Sequence, residues 1–424
     1  MIDETRLTET VTKGGIPWIN FFNGRLLSGE DLSKEQNSNL EGRRRLGRAI
    51  GEGVATGLEV SIPPNVNTRE TPYVVVNAGL AINQQGQTLS LSAETNVKLT
   101  RPVNARATDT TAQTFGDCSP LQPGVYVADA GVYLLTIAPA RKNEGRAAVS
   151  GLDNIIARCN THHAVEGVQF RLIQLGLNAD ELQNTRLRNH IAYRCFGIDA
   201  TTTTFPVDPF KPARRTLLDD LRPSLLTDCD VPLAIIKWTR PAGIEFVDRW
   251  SVRRRLFAPA AAGNWEEVLG ERRRSEGEAM FLQFQEHIDS VFRTESNPGS
   301  VIGSAHFERL PPLGIIPLAI NRATRGFTHE KFFEGQTYRE PVFVEGARFE
   351  RMFRASLSYP PLSLSSGELI WLYRVRQNMQ TIAAGGPNTP QPYLMFSSGH
   401  MPFYGEARFD VNRYNYSNYS SVYD

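Results

Sequence analysis

Between Val54 and Leu256 the chain is a succession of short apolar segments separated by turn residues, and that spacing limits the fold more than anything else in it. TPYVVVNAGLAINQQGQTLSLSAETNVKL divides into expected strands at Tyr73–Val76, Ala78–Ile82, Thr88–Leu91 and Asn96–Leu99, punctuated by Asn77, Gly79 and Gln85-Gly86. A second set is expected at Gly124–Val127, Gly131–Ala138, Val168–Leu175 and Val231–Thr239, the last turning through Arg240-Pro-Ala-Gly243 into Ile244–Val247 as a hairpin. Strands this close favour a sandwich or barrel over a parallel sheet with crossover helices. VYLLTIA does not alternate, so that strand is expected to be covered on both faces. One helix is expected at Ala179–Arg194, and a Pro- and Thr-rich excursion runs from Thr201 to Pro212.

Helical spacing returns at 265–293, where Val268, Leu269, Met280, Leu282, Phe284, Ile288 and Val291 form an apolar stripe. Beyond it, Ser304–Pro311 reads as strand-like, Phe349–Ser358 as a short helix stopped by Pro360-Pro361, and Glu368–Tyr373 as a buried strand holding Trp371 in the core. At the other end, PWINFFNGRLLSGEDL reads as a buried strand and a turn at Asn23-Gly24, followed by a helix capped at Ser28. Leu32, Gln36, Leu40, Arg43, Leu46 and Ile50 recur at helical spacing, and Gly51 and Gly53 end the helix. The expected class is therefore mainly β with several helices, α+β. Its parts are an arm and helix at 1–52, a β-rich domain with helical and loop insertions at 53–260, and a second β-rich domain at 261–424 with an aromatic tail.

The 46 Lys and Arg nearly cancel the 45 Asp and Glu, which argues against a general nucleic-acid surface. Lysine occurs only at 13, 34, 98, 142, 211, 237 and 331, so the cations are almost all arginine, whose planar fork suits paired and interfacial positions. Arg43-Arg44-Arg45 and Arg48 read as an acid-paired or solvated helix face. MIDETRLTETVTKGG has no apolar core for a secretion signal, and no segment approaches the ~20 apolar residues of a bilayer span. Synthesis and folding in the cytosol are expected. The four cysteines, at 118, 159, 195 and 229, lack paired spacing and are expected to be reduced, structural thiols.

Little in the chain resembles chemistry. Cys159-x-x-His162-His163, with His190 and Cys195 downstream, has ligand types for zinc, but nothing forces the pairs together; buried thiols and surface imidazoles are expected. Ser150-Gly-Leu-Asp153 and Ser397-Ser-Gly-His400 lack the G-x-S-x-G elbow of a hydrolase. Asp219-Asp220 and Glu266-Glu267 are adjacent, which suits a helix start better than a general acid and base. No catalytic, cofactor-binding or metal-binding residue is expected, and the chain is not expected to be an enzyme.

Four segments carry a resemblance. FFNGRLLSGEDLSKEQ with LGRAIGEGVATGLEV, VVVNAGLAINQQGQTLSL, FERLPPLGIIPL and the terminal GEARFDVNRYNYSNYSSVYD are together similar to proteins encoded beside the baseplate genes of contractile, phage-tail-like injection systems. Asn83 and Gln87 stand where that pattern has an acid and an arginine, so the ion pair is absent. The resemblance implies a structural subunit at the baseplate periphery, a cage or collar element and a trimer, partnered by itself and by other baseplate or tail components, with no nucleic acid and no membrane span. It further implies assembly into a particle that is released by lysis or docked on a membrane. The packing roles it carries over fall on Trp18, Phe21, Phe22, Asn23, Gly24 and Leu27 in the arm, and on Phe403, Tyr404, Ala407, Arg408, Phe409, Asp410 and Tyr414 in the tail. Both ends are aromatic and lack a core of their own, which independently points to assembly. The competing expectations are a particle-borne adhesin that uses Trp265 or the tail tyrosines, and a tail-associated cell-wall hydrolase.

Overall fold

A computed structural model describes residues 12–64, 67–70, 72–100, 125–127, 130–148, 159–198, 215–222, 224–256, 271–319, 325–376 and 392–404. The fold is α+β, with several small sheets and helices packed against them. The helix expected at the start forms as α1 (Gly29–Ile50). Three bent β segments follow: β1 (Gly53–Gly57) into β2 (Val60–Ser61), β3 (Tyr73–Val76) into β4 (Gly79–Ile82), and β5 (Thr88–Leu91) into β6 (Thr95–Lys98). They make two antiparallel sheets, ordered β1-β4-β5 and β2-β3-β6, so the same three segments run from one sheet to the next through a shared bend. Two glycines permit it. A Cβ on Gly57 (φ +61) would lie 1.9 Å from the Ala78 carbonyl oxygen, and one on Gly79 would lie 2.4 Å from the Leu58 nitrogen.

The next sheet is antiparallel, ordered β10-β9-β7-β8, from β7 (Gly131–Ala148), β8 (Cys159–Gln174), β9 (Val231–Thr239) and β10 (Gly243–Asp248). Tyr133, Leu135 and Ile137 face the bent sheets and share a core with Val74, Val76 and Leu89. Val132 and Leu134 face away, into a second core with α3 (Leu187–Cys195) and α4 (Leu217–Leu221). This middle layer is apolar on both faces, as VYLLTIA requires. Between β9 and this helical layer, the buried Asp230 carboxylate takes the Arg171 guanidinium, the Thr136 Oγ1 hydroxyl at 2.9 Å and the Thr227 amide at 3.0 Å.

Three expectations are corrected here. The helix at Ala179–Arg194 is two, α2 (Ala179–Gln183) and α3, because Asn184 turns extended (φ −64, ψ 122) and its Oδ1 accepts from the Arg186 amide at 2.9 Å. β7 and β8 run well past Ala138 and Val168, pairing out to Ala148 and Cys159. Residues 162–167 of that extension are exposed, so neither face imposes an apolar alternation that a sequence reading could detect. The expectation of four reduced thiols fails at Cys229, which is disulfide-bonded, while Cys195 is free and buried.

The remaining sheet, ordered β12-β16-β15-β13, uses β12 (Leu313–Pro317), β13 (Val342–Glu345), β15 (Ile370–Arg376) and β16 (Tyr393–Ser398), with β13 parallel to β15. The long helix α5 (Glu271–Thr294) covers one face, where Phe284, Ile288 and Val291 meet Ile316, Leu372 and Phe396. Short helical turns α6 (Gly303–His306) and α7 (His329–Phe332) precede α8 (Phe349–Ser356), which covers the other face with Met352 against Tyr373 and Met395. Trp371 is half-buried on that face. Ser304–Pro311 is not a strand: it is α6 followed by the two-residue β11 (Arg309–Leu310), which pairs with β14 (Leu362–Ser363).

Helices α3 and α5 join the two sheet assemblies. Met280 packs among Ala192, Tyr193 and Phe196. Asn189 takes the Glu308 and Arg309 amides on Oδ1 at 2.9 and 3.0 Å, and Gln283 donates to Asp248 at 3.0 Å. Glu286 receives the Trp250 indole at 2.6 Å and the Arg249 guanidinium at 3.3 Å. Burial pushes the His287 imidazole well below its ordinary pKa, with the Arg188 charge and His306 adding to the shift. The joint is a neutral histidine among paired charges.

Candidate interaction surface

The predicted arm does not form a strand. Residues 15–22 have no regular structure, because among the described residues no neighbouring strand offers the ladder that an extended chain needs. The Asn23-Gly24 turn does form, with Gly24 at φ +89 and the Arg25 amide bonded to the Phe22 carbonyl at 3.2 Å. The arm is tied to α1 at two places. Arg45 donates to the Gly14 carbonyl at 2.6 Å, and Arg25 pairs with Asp31 at 3.0 Å. Ser28 and Asp31 close a capping box, and the Ser28 bonds, with Arg25 beside them, hold the Asp31 carboxyl below its usual range.

What this leaves outside is apolar. Trp18 is 76% exposed, Phe22 64% and Leu26 93%, with Phe21 and Leu27 about half exposed. On α1, Leu32, Leu46 and Ile50 are exposed as well. Of the sixteen exposed large hydrophobic side chains among the described residues, these are eight. Single exposed apolar residues are ordinary, whereas a run of them marks a contact surface.

The helix itself barely touches the body. Gly47 is its one buried residue, set against Gly86 at the β4–β5 turn. A Cβ on Gly47 would sit 2.1 Å from the Gly86 carbonyl oxygen, and one on Gly86 (φ +77) would sit 2.0 Å from the Arg44 carbonyl oxygen. The turn is a firm platform. Asn83 and Gln87 exchange side-chain bonds, Nδ2 to Oε1 at 2.9 Å and the Gln87 amide to Asn83 Oδ1 at 2.9 Å, and the Gln84 amide donates to the Asp228 carbonyl at 3.1 Å. A neutral amide pair thus closes the turn. The sequence reading missed this glycine contact, although Gly47 interrupting a helical pattern was a signal. Two of the four arginines of the run are acid-paired, Arg48 and Arg45 lying 2.7 and 3.6 Å from Glu41, and Arg43 is exposed; the Arg48 bond lowers the Glu41 pKa.

At the far end, Phe403 and Tyr404 lie on the chain's own sheet. The Phe403 ring is 4.7 Å from Trp371 and 5.9 Å from Tyr373, and the Tyr404 amide donates to the Tyr373 hydroxyl at 3.3 Å. Ala407, Arg408, Phe409, Asp410 and Tyr414 fall outside the described residues, as do Trp265, Ser150 and Asp153. The chain matches no family model and no curated protein.

His162 and His163 are exposed on β8, His190 bonds Glu308 at 3.1 Å, and burial pushes the Cys195 thiol up to about 12. Among the described residues no three His, Cys, Asp or Glu side chains are grouped to hold a metal ion. Asp219 closes a capping box with Thr216, the helix-start role expected for it. No helix of the described residues is long and apolar enough to cross a membrane.

Proposed function

We propose that this chain is a structural subunit at the baseplate periphery of a contractile, phage-tail-like injection system, a cage or collar element that works by packing rather than catalysis. It associates with copies of itself, as a trimer, and with neighbouring baseplate or tail components. The observation that carries the reading is the exposed aromatic arm on a helix attached to the body at a pair of glycines. Trp18, Phe21, Phe22, Leu26 and Leu27 together expose the equivalent of about 3.4 whole side chains, so burying what remains open is worth roughly 5–10 kcal/mol at about 1.5–3 kcal/mol per side chain. Association costs about 4–15 kcal/mol before any ordering of the arm. One arm therefore holds weakly, and several engaged together hold firmly, as a symmetric particle allows.

The test is purification of contractile particles from cells that make this chain. The chain co-purifies with them, and its deletion removes assembled baseplates or firing. Replacing Trp18 and Phe22 by alanine changes unfolding stability by no more than about 0.5 kcal/mol, because both are exposed, yet strips the chain from particles. Particles that contain none of the chain overturn the proposal.

A further inference from the structure

We infer that a disulfide joins Cys229 to Cys118 and braces the platform on which α1 rests. Cys229 is disulfide-bonded and buried, and its partner is one of the other three cysteines, at 118, 159 and 195. Cys195 is excluded, because it is a free thiol buried on α3. Cys159 is excluded by distance. It pairs with Ala148 at the outer end of the β7–β8 ladder, whereas Cys229 stands two positions before Val231, which pairs with Ile137. The strand from Ile137 to Ala148 covers about 36 Å, and two residues of chain recover at most about 7 Å. About 29 Å is left to bridge, where the Cα atoms of a disulfide lie about 4.4–6.8 Å apart. Cys118 remains, and it lies outside the described residues. Chain length permits the bond. Cys118 is seven positions before Val125, whose amide donates to the Leu172 carbonyl at 2.9 Å, and seven residues reach about 23 Å. Leu172 aligns with Leu135 and Ala234, so Cys229 is about 14 Å across the sheet and about 16 Å along it, or roughly 21 Å away.

Position gives the bond its effect. Cys229 sits in the Thr227–Asp230 turn, where the Asp230 amide donates to the Thr227 carbonyl at 3.1 Å. On one side the Asp230 carboxylate takes the Arg171 guanidinium and the Thr227 hydroxyl, the latter at 2.6 Å. On the other side the Cys229 carbonyl accepts from Asn83 Nδ2 at 3.3 Å, and the Asp228 carbonyl accepts from the Gln84 amide. Asn83 and Gln84 begin the turn that carries Gly86, against which α1 sets Gly47. A covalent tie at Cys229 therefore acts one residue or less from the contacts that fix this turn. Its ring holds about 110 residues, and long rings are those that most restrict the unfolded chain. Forming it sends two protons and two electrons from the thiols to glutathione disulfide, which leaves as two glutathione thiols; dithiothreitol reverses the step. Opening the bond loosens the Asn83–Gln87 turn and α1 with it, while the β12-β16-β15-β13 sheet, whose cores include neither Cys229 nor its neighbours, stays as it was. The inference does not depend on the particle role.

Full-length wild type is incubated with glutathione disulfide, unfolded in guanidinium with N-ethylmaleimide, and digested without reductant. A linked Cys118–Cys229 peptide is expected, with maleimide on Cys159 and Cys195. Cys159 linked to Cys229, or maleimide on both Cys118 and Cys229, overturns the pairing. Deuterium exchange then compares this protein with two others. One is the same protein treated with dithiothreitol until its intact mass shows two added hydrogens; the other is Cys118→Ser, which breaks the bond and leaves Cys229 in place. Both are expected to exchange at least about threefold faster in peptides covering α1 and residues 83–89, with β12 and β16 peptides unchanged. Exchange in α1 that is indifferent to both treatments overturns the bracing, and so does equal acceleration in every peptide. Particles that lack a chain with this disulfide refute the particle role alone.

Discussion

Two glycine-to-alanine changes in the same helix should have opposite effects. An alanine Cβ at position 42 would have nothing within 4 Å, whereas a Cβ on Gly47 meets the Gly86 carbonyl oxygen at 2.1 Å, its carbonyl carbon at 2.7 Å and its Cα at 2.8 Å. Alanine is the better helix former by about 0.5–1 kcal/mol, so Gly42→Ala should slow amide exchange across α1 by roughly two- to fivefold. Gly47→Ala has the same intrinsic gain. Against it stands a backbone contact that must open by more than about 1 Å to reach ordinary separation, and overpacking of this kind costs about 1–3 kcal/mol. The Gly86 turn cannot yield cheaply, because the Asn83–Gln87 amide pair and the Asp228 carbonyl hold it. The balance leaves docking weaker by roughly 0.5–2 kcal/mol, or about two- to thirtyfold faster exchange in α1. Deuterium exchange followed by mass spectrometry reads both variants, with β7 and β9 peptides as the internal reference, since their cores do not include α1. If Gly47→Ala protects α1 as well as Gly42→Ala does, the glycine contact is not what holds the helix.

The joint between the sheet assemblies should be sensitive to acid. His287 is buried and neutral, with its pKa held well below the ordinary 6.5 of an imidazole, so below that pH the unfolded chain binds a proton that the folded chain refuses. Stability is then full above pH 6.5 and falls by up to about 1.4 kcal/mol per unit beneath it; urea melts at two pH values should show the slope, and His287→Gln should reduce it, with His306 supplying a smaller share of the same sign. Asp230→Ala leaves the buried Arg171 guanidinium without its carboxylate and should cost about 3–5 kcal/mol in equilibrium unfolding; a loss under 1 kcal/mol would refute the reading of that pair.

Local chemistry makes much of this fold readable. Ser28 with Asp31 three residues on, the Arg240–Gly243 hairpin, the doubly apolar VYLLTIA and the Glu368–Tyr373 strand are visible because capping, turn formation and two-sided burial each demand particular side chains at close spacing. Segments without that demand mislead. Residues 162–167 of β8 are exposed on both faces, and the arm's aromatic content suggests a strand although none of the described strands pairs with it. Across residues 12–50 the Asn23-Gly24 turn, the Ser28 cap and the charged helix are legible, since each is written within a few turns of chain. That α1 meets the body through Gly47 and Gly86 depends on a backbone approach between two residues far apart in the chain. Such an approach is governed by the absence of a side chain, and an absence leaves no periodicity to read.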